Sequence, residues 1–170
     1  MSRINLRPNH LVALTIVVIT IQGLVWTYRT QAAIRLSNDS IVDEIAMVAP
    51  QYDLDPEFVY NIALAESNLN PVAQSKFARG IMQMSLPAWK TVTDEPYTKA
   101  WDWKSNVHNG IRYLSFCKQE LENKGQFSYA KLSAAYRFGL KRLEQCAYDV
   151  KKLPRTQNRI YKKLLQEDSA

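Results

Sequence analysis

The chain has 170 residues, 46% apolar and 22% charged, with a formal net charge of +6. That balance belongs to one compact domain and excludes a disordered, collagenous or multidomain chain. The five glycines, at 23, 80, 110, 125 and 139, are too scattered for a Gly-x-Gly-x-x-Gly turn or a phosphate-cradling loop, which argues against dinucleotide and P-loop chemistry. Two histidines (His10, His108) and two cysteines (Cys117, Cys146) supply no four-ligand zinc site beyond the first thirty residues, so no metal and no cofactor are expected. Carboxylate, amide, hydroxyl and aromatic chemistry remain.

At the N-terminus, the 21 residues between Arg7 and Arg29 hold no acid or base except His10, and Leu11 to Trp26 is almost wholly apolar. Arg3 and Arg7 precede this run and small residues follow it (Thr30, Gln31, Ala32, Ala33), which is the layout of a secretory signal cleaved near 32–33. The run is also about the ~20 residues a bilayer requires, so an uncleaved inner-membrane anchor is the competing expectation. Either way residues 1–33 export the remainder, 34–170, to the periplasm or cell envelope. Three arginines and no acid fall in the first 33 residues, so 19 basic and 16 acidic residues remain, a net of +3. Nine Lys and Arg gather between Arg137 and Lys163, a solvated helix face or a site for anionic wall polymers or headgroups. Nucleic acid is not an expected partner. Cys117 and Cys146, on two expected helices, are open to two readings, one bridge or two buried thiols.

From Ser40 onward the pattern is helical. Ser40 with Asp43 resembles a capping box before Ile41, Val42, Ile45, Ala46, Val48 and Ala49, which recur at helical spacing up to Pro50. Asp55, Pro56 and Glu57 form a helix start, and Phe58, Val59, Ile62, Ala63 and Leu69 trace its apolar face to Asn70. Further helices are expected at 86–93, 105–123, 128–138, 140–151 and 155–166, with prolines 50, 71, 87 and 154 at or near boundaries. No strand pattern of useful length occurs, so the fold expected is all-α.

Glu66 follows Ile62 by four residues and Phe58 by eight, so it projects from the stripe that this helix must bury. It also occupies the last turn, where the helix dipole disfavours an anion. Both effects raise a carboxyl pKa, and an acid protonated near neutral pH is what glycosidic-bond cleavage needs.

The surrounding residues, Glu66 Ser67 Asn68 Leu69 Asn70 Pro71, then Ala73, Ser75, Ala78, Gly80, Ile81, Met82 and Gln83, resemble the signature of lytic transglycosylases of the soluble-transglycosylase type, relatives of goose-type lysozyme. Trp103, Asn106, Gly110, Tyr113 and Leu114 are similar to a second family pattern, and Ala134 Ala135 Tyr136 with Gly139 to a third. Pro154 and Thr156 before Tyr161 loosely echo the last helix, so the likeness spans roughly residues 40 to 165. It implies a lysozyme-like helical domain that cuts between N-acetylmuramic acid and N-acetylglucosamine in peptidoglycan, with Glu66 as sole acid and then base. The muramic 6-hydroxyl closes the product into a 1,6-anhydro ring, and the substrate's acetamido group stabilises the anomeric charge. By the same likeness Ser75, Gln83 and Tyr136 contact substrate or orient the acid, and Gly80 lets the Met82–Gln83 segment approach the sugar. Met82 and Met84 are expected to pack, and Trp89, Trp101 and Trp103 to serve the core more than a sugar platform.

Departures from the family pattern lie away from Glu66. Phe77 replaces a small Gly, Pro87 comes one residue late, Arg137 and Phe138 replace Asn-Ala, and Arg155 stands where Glu is common. An arginine beside the site lowers the Glu66 pKa or binds a peptide-stem carboxylate. Two other functions stay open: a lysozyme-type hydrolase using the same Glu66 with water, and a non-catalytic peptidoglycan-binding or assembly protein. Opening the wall for a secretion or conjugation apparatus, or wall turnover, would suit so small a domain.

Overall fold

The structure is a computed structural model that describes residues 20–24 and 39–166. The chain separates into two units, Met1–Ser37 and Asn38–Ala170. Apart from 20–24, a short exposed helical stretch, the expected signal or anchor over 1–33 lies outside the described residues. Among the described residues no helix is long and apolar enough to cross a membrane.

The second unit is mostly helical. Helix α1 (39–48) is already formed at residue 39, so Ser40 lies inside it and not at its cap. It buries Ile41, Ile45 and Val48 and runs into a 3-10 turn, Ala49–Tyr52, that Asp53 closes with a left-handed φ of 53°. Helix α2 (Pro56–Ser67) starts as expected: the Asp55 carboxylate accepts from Glu57 N–H at 2.9 Å and Pro56 occupies the first turn. It stops two residues before the expected end, because Asn68 and Leu69 both turn left-handed, with φ of 55° and 60°.

Helices α3 (Leu86–Val92), α4 (Trp103–Asn123) and α5 (Tyr129–Phe138) fall close to their expected bounds. The last two helices are shorter than expected. Helix α6 (Leu140–Gln145) ends where Ala147 and Tyr148 turn left-handed, before a 3-10 turn at Val150–Lys152. Helix α7 (Arg159–Leu164) waits for Asn158, whose Oδ1 accepts from the N–H groups of Ile160 and Tyr161. The expectation of all-α needs one amendment: β1 (Ala78–Arg79) pairs antiparallel with β2 (Met84–Ser85), Ala78 opposite Ser85 and Arg79 opposite Met84. Strands of two residues are too short for alternation to show in sequence.

The core is organised on α4, a helix of 21 residues and so about 31 Å long. Val107, Ile111, Leu114 and Leu121 recur on one face of it at full burial. Each contributes roughly 1.5–3 kcal/mol by leaving water. Trp89 and Tyr161 are the largest fully buried side chains, and Trp89 satisfies its indole by donating to the Glu95 carbonyl at 2.8 Å. Trp101, by contrast, stays 37% exposed. Cys117 and Cys146 are free buried thiols, which settles the two readings, and burial pushes the Cys117 thiol up to about 12.

Candidate active site

Glu66 is the penultimate residue of α2, and its side chain is only 7% exposed. Two groups reach it. The Tyr161 hydroxyl donates to Oε1 at 2.5 Å, and Nη1 of Arg137 lies 3.3 Å from Oε2 and 3.5 Å from Oε1. Burial pushes the Glu66 carboxyl above its ordinary range, while the Tyr161 hydroxyl and then the Arg137 charge pull against that rise. Tyr161 is itself held far above a normal phenol by burial and by the carboxyl beside it, so it remains a proton donor in the hydrogen bond.

Local sequence explains how Tyr161 gets there. Asn158 caps α7 with its oxygen and donates its Nδ2 to the Ala65 carbonyl at 2.9 Å, one of the orphan carbonyls at the end of α2. A single side chain therefore joins the start of one helix to the end of the other, and Tyr161 follows three residues later. Its role was not legible beforehand, although the polar cap before an aromatic helix was a usable signal.

Glu66, Ser75, Gln83 and Tyr136 all line one cavity of about 580 Å³, together with Phe77, Tyr113 and Arg137. Glu66 is the single carboxylate among its lining residues. A second depression, about 690 Å³, lies on the side of α7 and shares Glu66 and Gln83, and a third shares Ser75, Phe77, Ala78 and Ser85. The carboxyl thus sits between connected depressions along one surface.

Each of the other expected site residues also has a local task. Ser75 Oγ accepts from the N–H groups of Ala78 at 3.0 Å and Phe77 at 3.4 Å, shaping the turn into β1. Gln83 has a positive φ of 44° and donates its Nε2 to the carbonyls of Gly80 (3.0 Å) and Ala73 (3.1 Å), so its amide locks the loop that carries it. Tyr136 does not bond the carboxylate: its hydroxyl donates to the Met82 carbonyl at 2.7 Å. Around that segment, Asn106 Oδ1 accepts from Met82 N–H at 2.8 Å and Tyr97 donates to the Met84 carbonyl at 2.8 Å. Buried Met82 and Met84 pack beneath, as expected.

Gly80 is required by its own backbone surroundings. With φ of 74°, an added Cβ there would meet the Asn106 amide at 2.4 Å and the Ala100 carbonyl at 2.8 Å, so the glycine lets this turn close onto α4 and the chain just before it. Gly110 similarly clears a place for Met82 on α4, 2.6 Å from where a Cβ would stand. Of the two arginine departures, Arg137 reaches Glu66, whereas Arg155 lines a separate depression beside Val150 and Leu165.

Residues 43–158 match the family of the transglycosylase SLT domain. A similar solved structure is that of an inactive mutant of the lytic transglycosylase Slt from Pseudomonas aeruginosa, with a TM-score of 0.55 and 19% identity over 75% of this chain and 21% of that one. That likeness is one of fold, and the present chain spans about a fifth of that protein's length. No curated protein sequence matches it.

Proposed function

From a chain that belongs to the transglycosylase SLT family, we propose a lytic transglycosylase that cuts the bond from N-acetylmuramic acid to N-acetylglucosamine in peptidoglycan. The observation that carries this reading is a lone carboxyl, 7% exposed and raised by burial, lining a cavity that has no second acid among its lining residues. In this reading Glu66 gives its proton to the departing glucosamine oxygen as the bond to the anomeric carbon breaks. The substrate's acetamido oxygen shares the positive charge that develops there, which removes the need for a second carboxylate. Glu66, now ionised and steadied by the Tyr161 hydroxyl, takes the proton of the muramic 6-hydroxyl as that oxygen bonds the anomeric carbon. The product carries a 1,6-anhydro ring and the acid returns to its starting state. Ser75, Gln83 and Tyr136 line the sugar's place in this scheme, Gln83 with its amide oxygen and Ser75 with its hydroxyl.

Residues 1–33 are read as the export signal or anchor that puts this domain in the periplasm or cell envelope, where such a polymer lies. A task in wall turnover or in opening the wall for an envelope apparatus would follow from that placement.

The test is incubation of the full chain, beside Glu66→Gln, with isolated peptidoglycan, the released fragments being identified by mass. Anhydro-ended fragments from the wild type, reduced by at least ~10² in the variant, are the expected result. Hydrated ends would make the protein a lysozyme-type hydrolase, and binding without release a wall-binding protein.

A further inference from the structure

Arg137 is the one cation among the residues lining the Glu66 cavity, and Glu66 the one acid. It sits in the last turn of α5, just before Gly139 turns the chain with φ of 87°. Its guanidinium carbon lies 5.2 Å from the centre of the Tyr161 ring, a cation over an aromatic face. The side chain is 42% exposed, while that of its carboxylate partner is 7% exposed. Only Nη1 reaches the carboxylate, at 3.3 and 3.5 Å, and a guanidinium that binds a carboxylate strongly uses two parallel bonds near 2.8 Å. Most of its five donors are therefore not used on Glu66.

This contact conflicts with the proposed chemistry. An arginine beside the acid favours the ionised carboxyl, whereas proton transfer to a departing sugar oxygen requires the protonated one. The conflict disappears if the guanidinium is drawn to another anion as substrate enters. An arriving carboxylate meets no acid in the cavity lining except Glu66, which Arg137 screens. Of the cations lining the adjoining depressions, Arg79 lies over the faces of Tyr97 and Trp101, at 4.4 and 5.2 Å, Lys76 lies 5.3 Å over the Phe77 ring and Arg159 lines the depression on the side of α7, so Arg137 is the one cation that lines the Glu66 cavity itself.

We infer that Arg137 recognises a carboxylate carried by the glycan bound in this cavity, and that its exchange from Glu66 to that carboxylate makes the site select charged strands. The inference rests on the proposed transglycosylase reading. Two sources supply the chemistry: the free lactyl carboxylate of a muramic residue without a peptide, and the carboxylates of a peptide stem. In the exchange no covalent bond changes; Glu66 loses its cation and takes up a proton from water while the substrate anion gains the cation. The groups that face Glu66 throughout are Tyr161 of α7 and Arg137 and Tyr136 of α5.

The experiment compares three preparations of soluble glycan strands: stem-bearing, stem-free with lactyl carboxylates exposed, and stem-free with those carboxylates converted to neutral methylamides. The full chain, Arg137→Asn and Arg137→Lys are assayed on each for kcat/KM and its pH profile. The wild type is expected to favour charged over methylamidated strands by about tenfold or more, in line with a charge-assisted hydrogen bond. In Arg137→Asn that ratio falls to about one, in Arg137→Lys it is partly restored, and the alkaline limb in Arg137→Asn, set by loss of the Glu66 proton, moves to higher pH. Preference for stem-free strands assigns the lactyl group, and preference for stem-bearing strands assigns the peptide. A wild-type ratio near one, or the same ratio in Arg137→Asn, overturns the inference. Binding of the strands to Glu66→Gln, with and without Arg137→Asn, is measured in parallel. If the wild type releases nothing, the transglycosylase reading fails, and equal affinity for charged and neutral strands then removes the role of Arg137 as well.

Discussion

At the scale of single residues, Glu66 shows a site built against stability. Burial raises its carboxyl above the ordinary range despite the Tyr161 hydrogen bond and the Arg137 charge. Between the unfolded carboxyl pKa, about 4.3, and the raised folded one, the folded state binds the proton more readily than the unfolded state does, so this group removes stability as pH rises through that window. Glu66→Gln is neutral at every pH and escapes the loss. Thermal unfolding followed from pH 4 to pH 8 is expected to show the variant melting above the wild type at pH 8, the gap closing towards pH 4. A variant melting below the wild type at pH 8 would mean that the Arg137 pair outweighs burial. Residue chemistry was partly legible in sequence: position 66 follows from the stripe through Phe58 and Ile62 and from the end of the helix. What Tyr136 and Gln83 do locally was not legible, because their hydrogen bonds go to carbonyls brought near by the fold. The Tyr136 acceptor, Met82, is 54 residues away.

At the scale of elements, the site depends on the junction of α2 with α7. Asn158 supplies the cap of α7 and covers the Ala65 carbonyl, so one side chain sets both the start of α7 and its attachment. Asn158→Ala is expected to cost about 1–2 kcal/mol, the usual worth of an N-cap, read as a lower denaturant midpoint at unchanged m. Because Tyr161 is the third residue after the cap, turnover should fall beyond what the fraction unfolded explains. A loss of stability with full turnover would show that α7 keeps its register without Asn158. Another junction away from the cavity ties α1 to α4: Glu44, 8% exposed, accepts from His108 at 2.6 Å and pairs with Lys104 at 3.2 Å. Together those neighbours hold its carboxyl below the ordinary range, the reverse of Glu66. Two carboxylates on successive helices are thus separated by what surrounds them, one held by Lys104 and His108 of α4 and one buried at a helix end.

For the molecule as a whole, the two units, Met1–Ser37 and Asn38–Ala170, divide the sequence a few residues after the arginine-flanked apolar run of the N-terminus. With Arg3, Arg7 and the uncharged run after them, the full chain made in a Gram-negative bacterial host is expected in one of two forms: shortened and soluble in the periplasm, or full-length in the membrane fraction. Recovery of a full-length soluble cytoplasmic protein would remove the export reading. The net of +3 left after residue 33 is modest, so attraction to an anionic wall polymer would come from where the cations lie, above all Arg137 beside the cavity.

Local pattern by itself determined the helical class, the starts of α2 and α4 within two residues, and the position of Glu66 on a buried face at a helix end. These are properties of periodicity and capping, which act over one or two turns and are written in neighbouring residues. Tertiary structure alone decided that Tyr161 holds Glu66, that Tyr136 holds the Met82 carbonyl, that Gly80 makes room for Asn106, and that Arg137 rather than Arg155 reaches the acid. It also decided where α6 stops and α7 begins. Each of those outcomes depends on which backbone or side chain arrives from a distant part of the chain, and a hydrogen bond or ion pair of about 3 Å is set by packing that no local spacing encodes.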